Sequence, residues 1–211
     1  MTKIERRNIT TEFRLSDSDQ PTTIQGYGAV FNSAGTNGLW TEVIDPHAFD
    51  NVVASNPDVR ALWNHNPDHV LGRTAAGTLS LSIDARGLSY SIQPPDTQVA
   101  RDLITSMRRK DVTGSSFGFI CARDQWTDNA DGTVTRTILE IGELLDVSPV
   151  TYPFYGAADS SVRSMPDSMP AEYRSRFEAR MNEAPKLDSL KEHEDAWRLN
   201  SELLLRLEES A

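Results

Sequence analysis

The chain has 211 residues, 38% hydrophobic and 25% charged, a balance that supports one substantial globular core with appendages. Its net charge of −10 argues against nonspecific nucleic-acid binding, which needs a surplus of lysine and arginine. A single cysteine, Cys121, excludes an internal disulfide and a CxxC metal or redox site. No window approaches the roughly 18 apolar residues of a membrane span. The basic start at Lys3, Arg6 and Arg7 has no apolar run behind it, so no signal peptide is expected and the chain reads as cytoplasmic.

Taken in order, residues 3–15 (Ile4, Ile9, Phe13, Leu15) predict a first strand, and Ser16–Pro21 a turn. Thr23–Phe31 reads as a strand whose glycines, Gly26 and Gly28, allow it to bend or bulge, as in a sheet curling into a barrel. Trp40–Ile44 is a short strand. Asp45 and Pro46 then open a helix as N-cap and first helical residue, with Ala48, Phe49, Val52 and Val53 on its apolar side. Val59–Trp63 is a strand running straight into His65. Leu79–Ile83 and Leu88–Ile92 alternate cleanly around Asp84–Gly87 and make a hairpin. Asp96 or Thr97 caps a helix with apolar positions Val99, Leu103, Ile104 and Met107, and Arg108-Arg109-Lys110 ends it where cations suit the macrodipole.

Thr113–Ile120 follows at once. If Ser116–Phe119 is extended, Phe117 and Phe119 face a core while Ser116 and Gly118 face the other way. The hydroxyl then lies beside a residue with no side chain, leaving room for a substrate backbone. Asn129–Gly132 is a second hairpin turn, leading to strands over Thr133–Ile141 and Leu144–Val150. About nine short strands and two helices predict an α+β fold, a mostly antiparallel β-barrel wrapped by a few helices. Residues 1–158 would form that domain. A Ser/Pro/Met-rich linker would span 159–170, and 171–211 a helical tail in two stretches, Ala171–Glu183 and Pro185–Glu209. The tail is open to two readings, packed on the domain or acting as a partner-binding arm.

A hydroxyl becomes a useful nucleophile when a base takes its proton and a third group orients that base. Of the four histidines, His47 opens a predicted helix and His193 lies in the polar tail, which leaves His65 and His69. Their i, i+4 spacing suits a helical metal site, but Pro67 lies between them and no HExxH glutamate is present, so no metal is expected. His65, at a strand end, is the better base for a serine such as Ser116. Glu140 is the choice for the third member, because a carboxylate amid Ile138, Leu139 and Ile141 needs a partner. Asp146 and Glu143 compete with it. Cys121 alternates with Phe117 and Phe119 on the core face, which disfavours a thiol nucleophile.

Five stretches in this order resemble the prohead maturation proteases of tailed bacteriophages, over residues 24–156: Gly26–Phe31, Ile44–Phe49, Val59–Gly72, Gly114–Phe119, and Glu140 with Leu144–Pro153. That family is related in fold to the herpesvirus capsid-assembly proteases, a β-barrel wrapped in helices. The resemblance implies His65 as base, Ser116 as nucleophile and an acidic third member at Glu140. Phe154-Tyr155 departs from the family's usual ending after the proline, and no arginine matches its oxyanion position, which leaves backbone N–H groups as donors. It also implies a serine endopeptidase without cofactor, packaged inside the procapsid in the host cytoplasm. Scaffold, major capsid protein and the enzyme itself would be its substrates, and the helical tail would be the segment that holds it in the scaffold. The herpesvirus relatives work as dimers, so a homodimer is open. The competing reading is a capsid-assembly module that keeps the fold and has lost the chemistry.

Overall fold

The computed structural model describes residues 4–10, 13–16, 22–36, 39–152 and 165–183. Its elements run β1 (Glu5–Thr10), β2 (Arg14–Leu15), β3 (Ile24–Val30), β4 (Gly35–Thr36), β5 (Thr41–Ile44), α1 (Asp50–Ala54), β6 (Arg60–Trp63) and β7 (Asn66–Arg73). They continue with β8 (Leu79–Ile83), β9 (Gly87–Ile92), α2 (Gln98–Arg108), β10 (Gly114–Asp128), β11 (Val134–Val150) and α3 (Ala171–Glu183).

The β10–β11 ribbon organises the larger sheet. Strands β1, β10, β11, β5 and β4 lie side by side in that order, and β6 and β7 complete a seven-stranded sheet. A second sheet has the order β2-β3-β9-β8. The expected barrel does not form. The far edge of β11 is shared by two strands, β5 along Thr135–Ile138 and β6 at Asp146–Val147, both parallel to it. The sheet therefore branches instead of curling shut, and the fold is a mixed α+β arrangement of two sheets. Apolar residues of the two sheets form one core, with Ile24, Leu88 and Ile92 joining Phe117, Phe119 and Val147. Phe117 stacks on Phe119 at 4.8 Å and meets Phe49 edge-on at 5.5 Å, which fixes the core face of β10.

Several expectations hold locally. Thr97 caps α2 by accepting the Ala100 N–H, and a left-handed Lys110 (φ 65°) follows the helix end. The β8–β9 hairpin forms over the predicted residues. The register of β3 against β9 skips Gly28, so the expected bulge is real. Others need correction. The first strand splits, with β1 joining the large sheet and β2 the small one. The helix expected from Pro46 begins only at Asp50: the Asp45 carboxylate accepts the His47 N–H at 2.8 Å, and successive turns close at Ala48 and Asp50. Residues 134–150 are one strand, whose register against β10 shifts four times between Gly118 and Asp124.

Near the β10–β11 turn, the guanidinium of fully buried Arg136 donates to Asp124 (2.6 Å), Glu5 (2.6 and 3.0 Å) and Glu42 (2.9 Å). Arg7 binds Glu5 and Glu42 from the other side. Four strands are thus joined by an ionic network in which each buried charge has opposite-sign partners.

The chain divides into two compact units, Met1–Pro170 and Ala171–Ala211. Within the first, Met165 and Met169 are buried and Ser168 donates to Asp124 at 2.6 Å, so this end of the expected linker packs with the sheet domain. Within the second, α3 covers the predicted Ala171–Glu183. The helix expected over Pro185–Glu209 and linker residues 159–164 lie outside the described residues. Among the described residues no helix is long and apolar enough to cross a membrane.

Candidate active site

Side chains two apart on a strand share a face, and cross-strand partners share it too. Ser116 pairs with Ser148 and Gly118 with Asp146, so β10 and β11 together present a two-by-two patch. Its partner element is the β6–β7 hairpin. Strand β6 runs parallel to β11 from Asp146↔Arg60 to Val147↔Ala61, and the Asn64 N–H continues the ladder by donating to the Pro149 carbonyl at 3.0 Å. Trp63 then pairs with Asn66 across a two-residue turn, Asn64-His65. Both turn residues have positive φ, 55° and 56°, the conformation of the tightest hairpins. Asparagine tolerates it, and its side chain clamps the turn, accepting the Thr151 N–H at 2.9 Å and donating to Thr151 Oγ1 at 3.2 Å. A histidine at positive φ is unusual, and the clamp holds it there.

From that turn the imidazole bridges both strands. His65 Nδ1 donates to Asp146 Oδ1 at 2.6 Å, and Ser116 Oγ donates to His65 Nε2 at 2.6 Å. The donor directions follow from Asp146, whose carboxylate only accepts, so the proton sits on Nδ1 and Nε2 keeps its lone pair for the serine. Ser148 Oγ also donates to Asp146 Oδ1, again at 2.6 Å. Ser116 and Ser148 have no exposed surface, and the His65 side chain is only 12% exposed. A hydroxyl, an imidazole and a carboxylate in line, shielded from water, can transfer the hydroxyl proton to the imidazole as the oxygen attacks an acyl carbon.

His65 and Ser116 are thus brought together as expected, and Glu140 is not. Glu140 lies six residues before Asp146, roughly 20 Å along the strand. There it accepts from Asn51 Nδ2 at 2.9 Å and faces Arg123 at 3.5 Å. The Asn51 bond, reinforced by Arg123, holds its carboxyl below the ordinary value. The partner that its apolar neighbours demanded exists, but it is an amide and a guanidinium. Glu143 is exposed. The carboxylate at the histidine is Asp146, and its signal lay in being the acidic residue of the apolar run Leu144–Val150. The space beside Gly118 is correspondingly filled by Asp146: a Cβ on Gly118 would fall well inside contact distance of Oδ2. Sequence reasoning also passed over Ser148.

The remaining candidates sit elsewhere. Ser115 points away from Ser116 and shares a buried hydrogen bond of 3.0 Å with the Tyr90 hydroxyl. His69 tilts against Trp63, ring centroids 5.9 Å apart, while both nitrogens of His65 are engaged by Asp146 and Ser116. Burial pushes the Cys121 thiol up to about 11, far from a reactive thiolate.

The bacteriophage T4 capsid assembly protease has a similar fold: the TM-score is 0.51 at 12% identity, covering 70% of this chain and 96% of that one. The prohead protease of Enterobacteria phage HK97 is 30% identical over 146 residues, 68% of this chain. The match spans 60% of that relative's length. Residues 9–171 match the family described as caudovirus prohead serine protease, and the chain belongs to that family.

Proposed function

We propose that this chain is a serine endopeptidase of phage head maturation, with Ser116 as nucleophile, His65 as general base and Asp146 as the group that orients the imidazole. The observation that carries the proposal is the continuous Ser116–His65–Asp146 relay, two hydrogen bonds of 2.6 Å, on a chain of the prohead protease family. In the first half-reaction Ser116 Oγ bonds to the scissile carbonyl carbon as its proton passes to His65 Nε2. The tetrahedral intermediate then expels the amine, which takes that proton, and an acyl-enzyme remains. Water, deprotonated by the same nitrogen, releases the acid and restores the serine. Backbone N–H groups are the proposed oxyanion donors.

Scaffold and major capsid precursors, and the enzyme itself, are the proposed substrates inside the procapsid. The helical segment after residue 170 is the proposed arm for scaffold association. The rival reading, an inactive assembly module, draws on the complete burial of Ser116. A module of that kind has no use for a hydroxyl aligned with an imidazole and a carboxylate.

Purified full chain should react with a fluorophosphonate–rhodamine probe at Ser116 and shorten itself on incubation, both followed by intact mass. The Ser116→Ala variant should do neither while keeping its thermal midpoint. A wild-type chain that stays unlabelled and intact would favour the module. A truncation after Pro170 should still label but no longer enter procapsids.

A further inference from the structure

We infer that Ser148 is a positioning residue of the active site, holding the Asp146 carboxylate in register with His65. The inference rests on the serine-peptidase reading above and extends it by one residue. Asp146 Oδ1 accepts two hydrogen bonds at once, from His65 Nδ1 and from Ser148 Oγ, each 2.6 Å. The Ser148 hydroxyl lies two residues along the same strand as Asp146 and directly opposite Ser116. It is completely buried, and a buried hydroxyl that donates to a carboxylate makes one of the stronger neutral-to-charged hydrogen bonds.

The need for a second donor follows from the aspartate side chain. Rotation of the carboxylate about its last torsion is soft, with no sharp staggered minimum. His65 reaches Asp146 from the tip of the β6–β7 hairpin, whose backbone pairing with β11 and Asn64–Thr151 bonds fix the turn but leave the carboxylate torsion unset. Ser148 belongs to β11 itself, so its bond ties Oδ1 to the strand that carries Asp146 and aims it toward the turn. Gly118 completes the cradle from β10, since any side chain there would meet Oδ2. The carboxylate is thus held from its own strand on one oxygen and has room for the other only because position 118 lacks a Cβ. The imidazole then meets a preset acceptor, and its Nε2 is aimed at Ser116 before substrate arrives.

The test is the rate of fluorophosphonate–rhodamine labelling of Ser116 in the full chain, with thermal midpoints read alongside. Ser148→Ala should slow labelling about tenfold, as expected for losing one hydrogen bond to a charged group. Ser148→Thr, which restores a hydroxyl, should recover most of that loss. In an Asp146→Asn background, adding Ser148→Ala should slow labelling no further, because the hydroxyl acts only through the carboxylate. Wild-type labelling in Ser148→Ala, failure of Ser148→Thr to rescue a folded protein, or additive effects with Asp146→Asn would each overturn the inference. If Ser148→Ala does not fold, Ser148→Cys, similar in volume with a weak donor, carries the same comparison. Full labelling in Asp146→Asn would instead sink the triad assignment itself. The two failures are therefore distinguishable.

Discussion

In the proposed mechanism, Asp146 is where one side chain decides the chemistry. Asparagine in its place keeps the shape but can offer its NH₂ to Nδ1, which would leave the imidazole proton on Nε2, where it cannot accept from Ser116. Asp146→Asn should therefore lower the labelling rate by roughly 10³–10⁴-fold with little change in thermal midpoint. Glu140→Gln should label within about twofold of wild type, since its partners are Asn51 and Arg123. The reverse pattern would return the third position to Glu140. Gly118→Ala makes the same point by steric means. A methyl there meets Asp146 Oδ2, and Oδ1 is pinned by His65 and Ser148, so the carboxylate must leave its place. Activity should drop at least 100-fold, on the order of the loss of a triad contact, while the protein remains folded by circular dichroism.

At the scale of elements, the β6–β7 hairpin is what delivers the proposed base, His65. Its turn is held by backbone sterics and by the bond pair between Asn64 and Thr151. Asn64→Ala loses both, with an expected cost of about 1–2 kcal/mol from the left-handed backbone and the missing hydrogen bonds. Asn64→Gly keeps the backbone at ease and loses only the clamp. Thermal melts should rank wild type above Asn64→Gly and Asn64→Gly above Asn64→Ala. Both variants should label more slowly than wild type, since each frees the His65 turn from the end of β11. Equal labelling in all three would mean that the ladder bond from Asn64 N–H to Pro149 suffices to hold the turn.

Across the whole molecule, the Arg136 network ties strands β1, β5, β10 and β11 of the large sheet together. Burial alone would raise the Glu42 pKa, but the guanidiniums of Arg7 and Arg136 outweigh it and hold the carboxyl below its ordinary 4.5. Burial would lower the Arg136 pKa, but the carboxylates of Glu5, Glu42 and Asp124 outweigh it, so it ends above its ordinary value. A carboxylate with a depressed folded pKa stabilises fully above its unfolded value and loses that contribution as pH falls through the folded one. The thermal midpoint should thus be flat near neutrality and fall below about pH 4.5, progressively as Glu42 protonates. Glu42→Gln should begin less stable, by roughly 3–5 kcal/mol for breaking a buried pair, and show a shallower acid slope. An unchanged slope would assign the acid loss to other groups.

Local pattern was enough for the helix α2 with its Thr97 cap, the β8–β9 hairpin, the bulge at Gly28 and the aromatic face of β10, because each depends on residues a few positions apart. The pairing of His65 with Ser116 was legible by chemistry and by resemblance, though 51 residues separate them. Glu140 does not meet His65 for a reason that no local pattern contains. Three of the four register shifts in the β10–β11 ladder fall between Glu140 and Asp146 and the fourth between Ile138 and Glu140, so the face seen near Ile138 does not carry through to Ser148. Which stretch of β11 lies under the hairpin was decided by β6 docking parallel at Asp146–Val147, a long-range pairing. The open form of the sheets has the same origin. Two strands share one edge of β11, and strand periodicity states which face is buried but not which neighbour takes an edge.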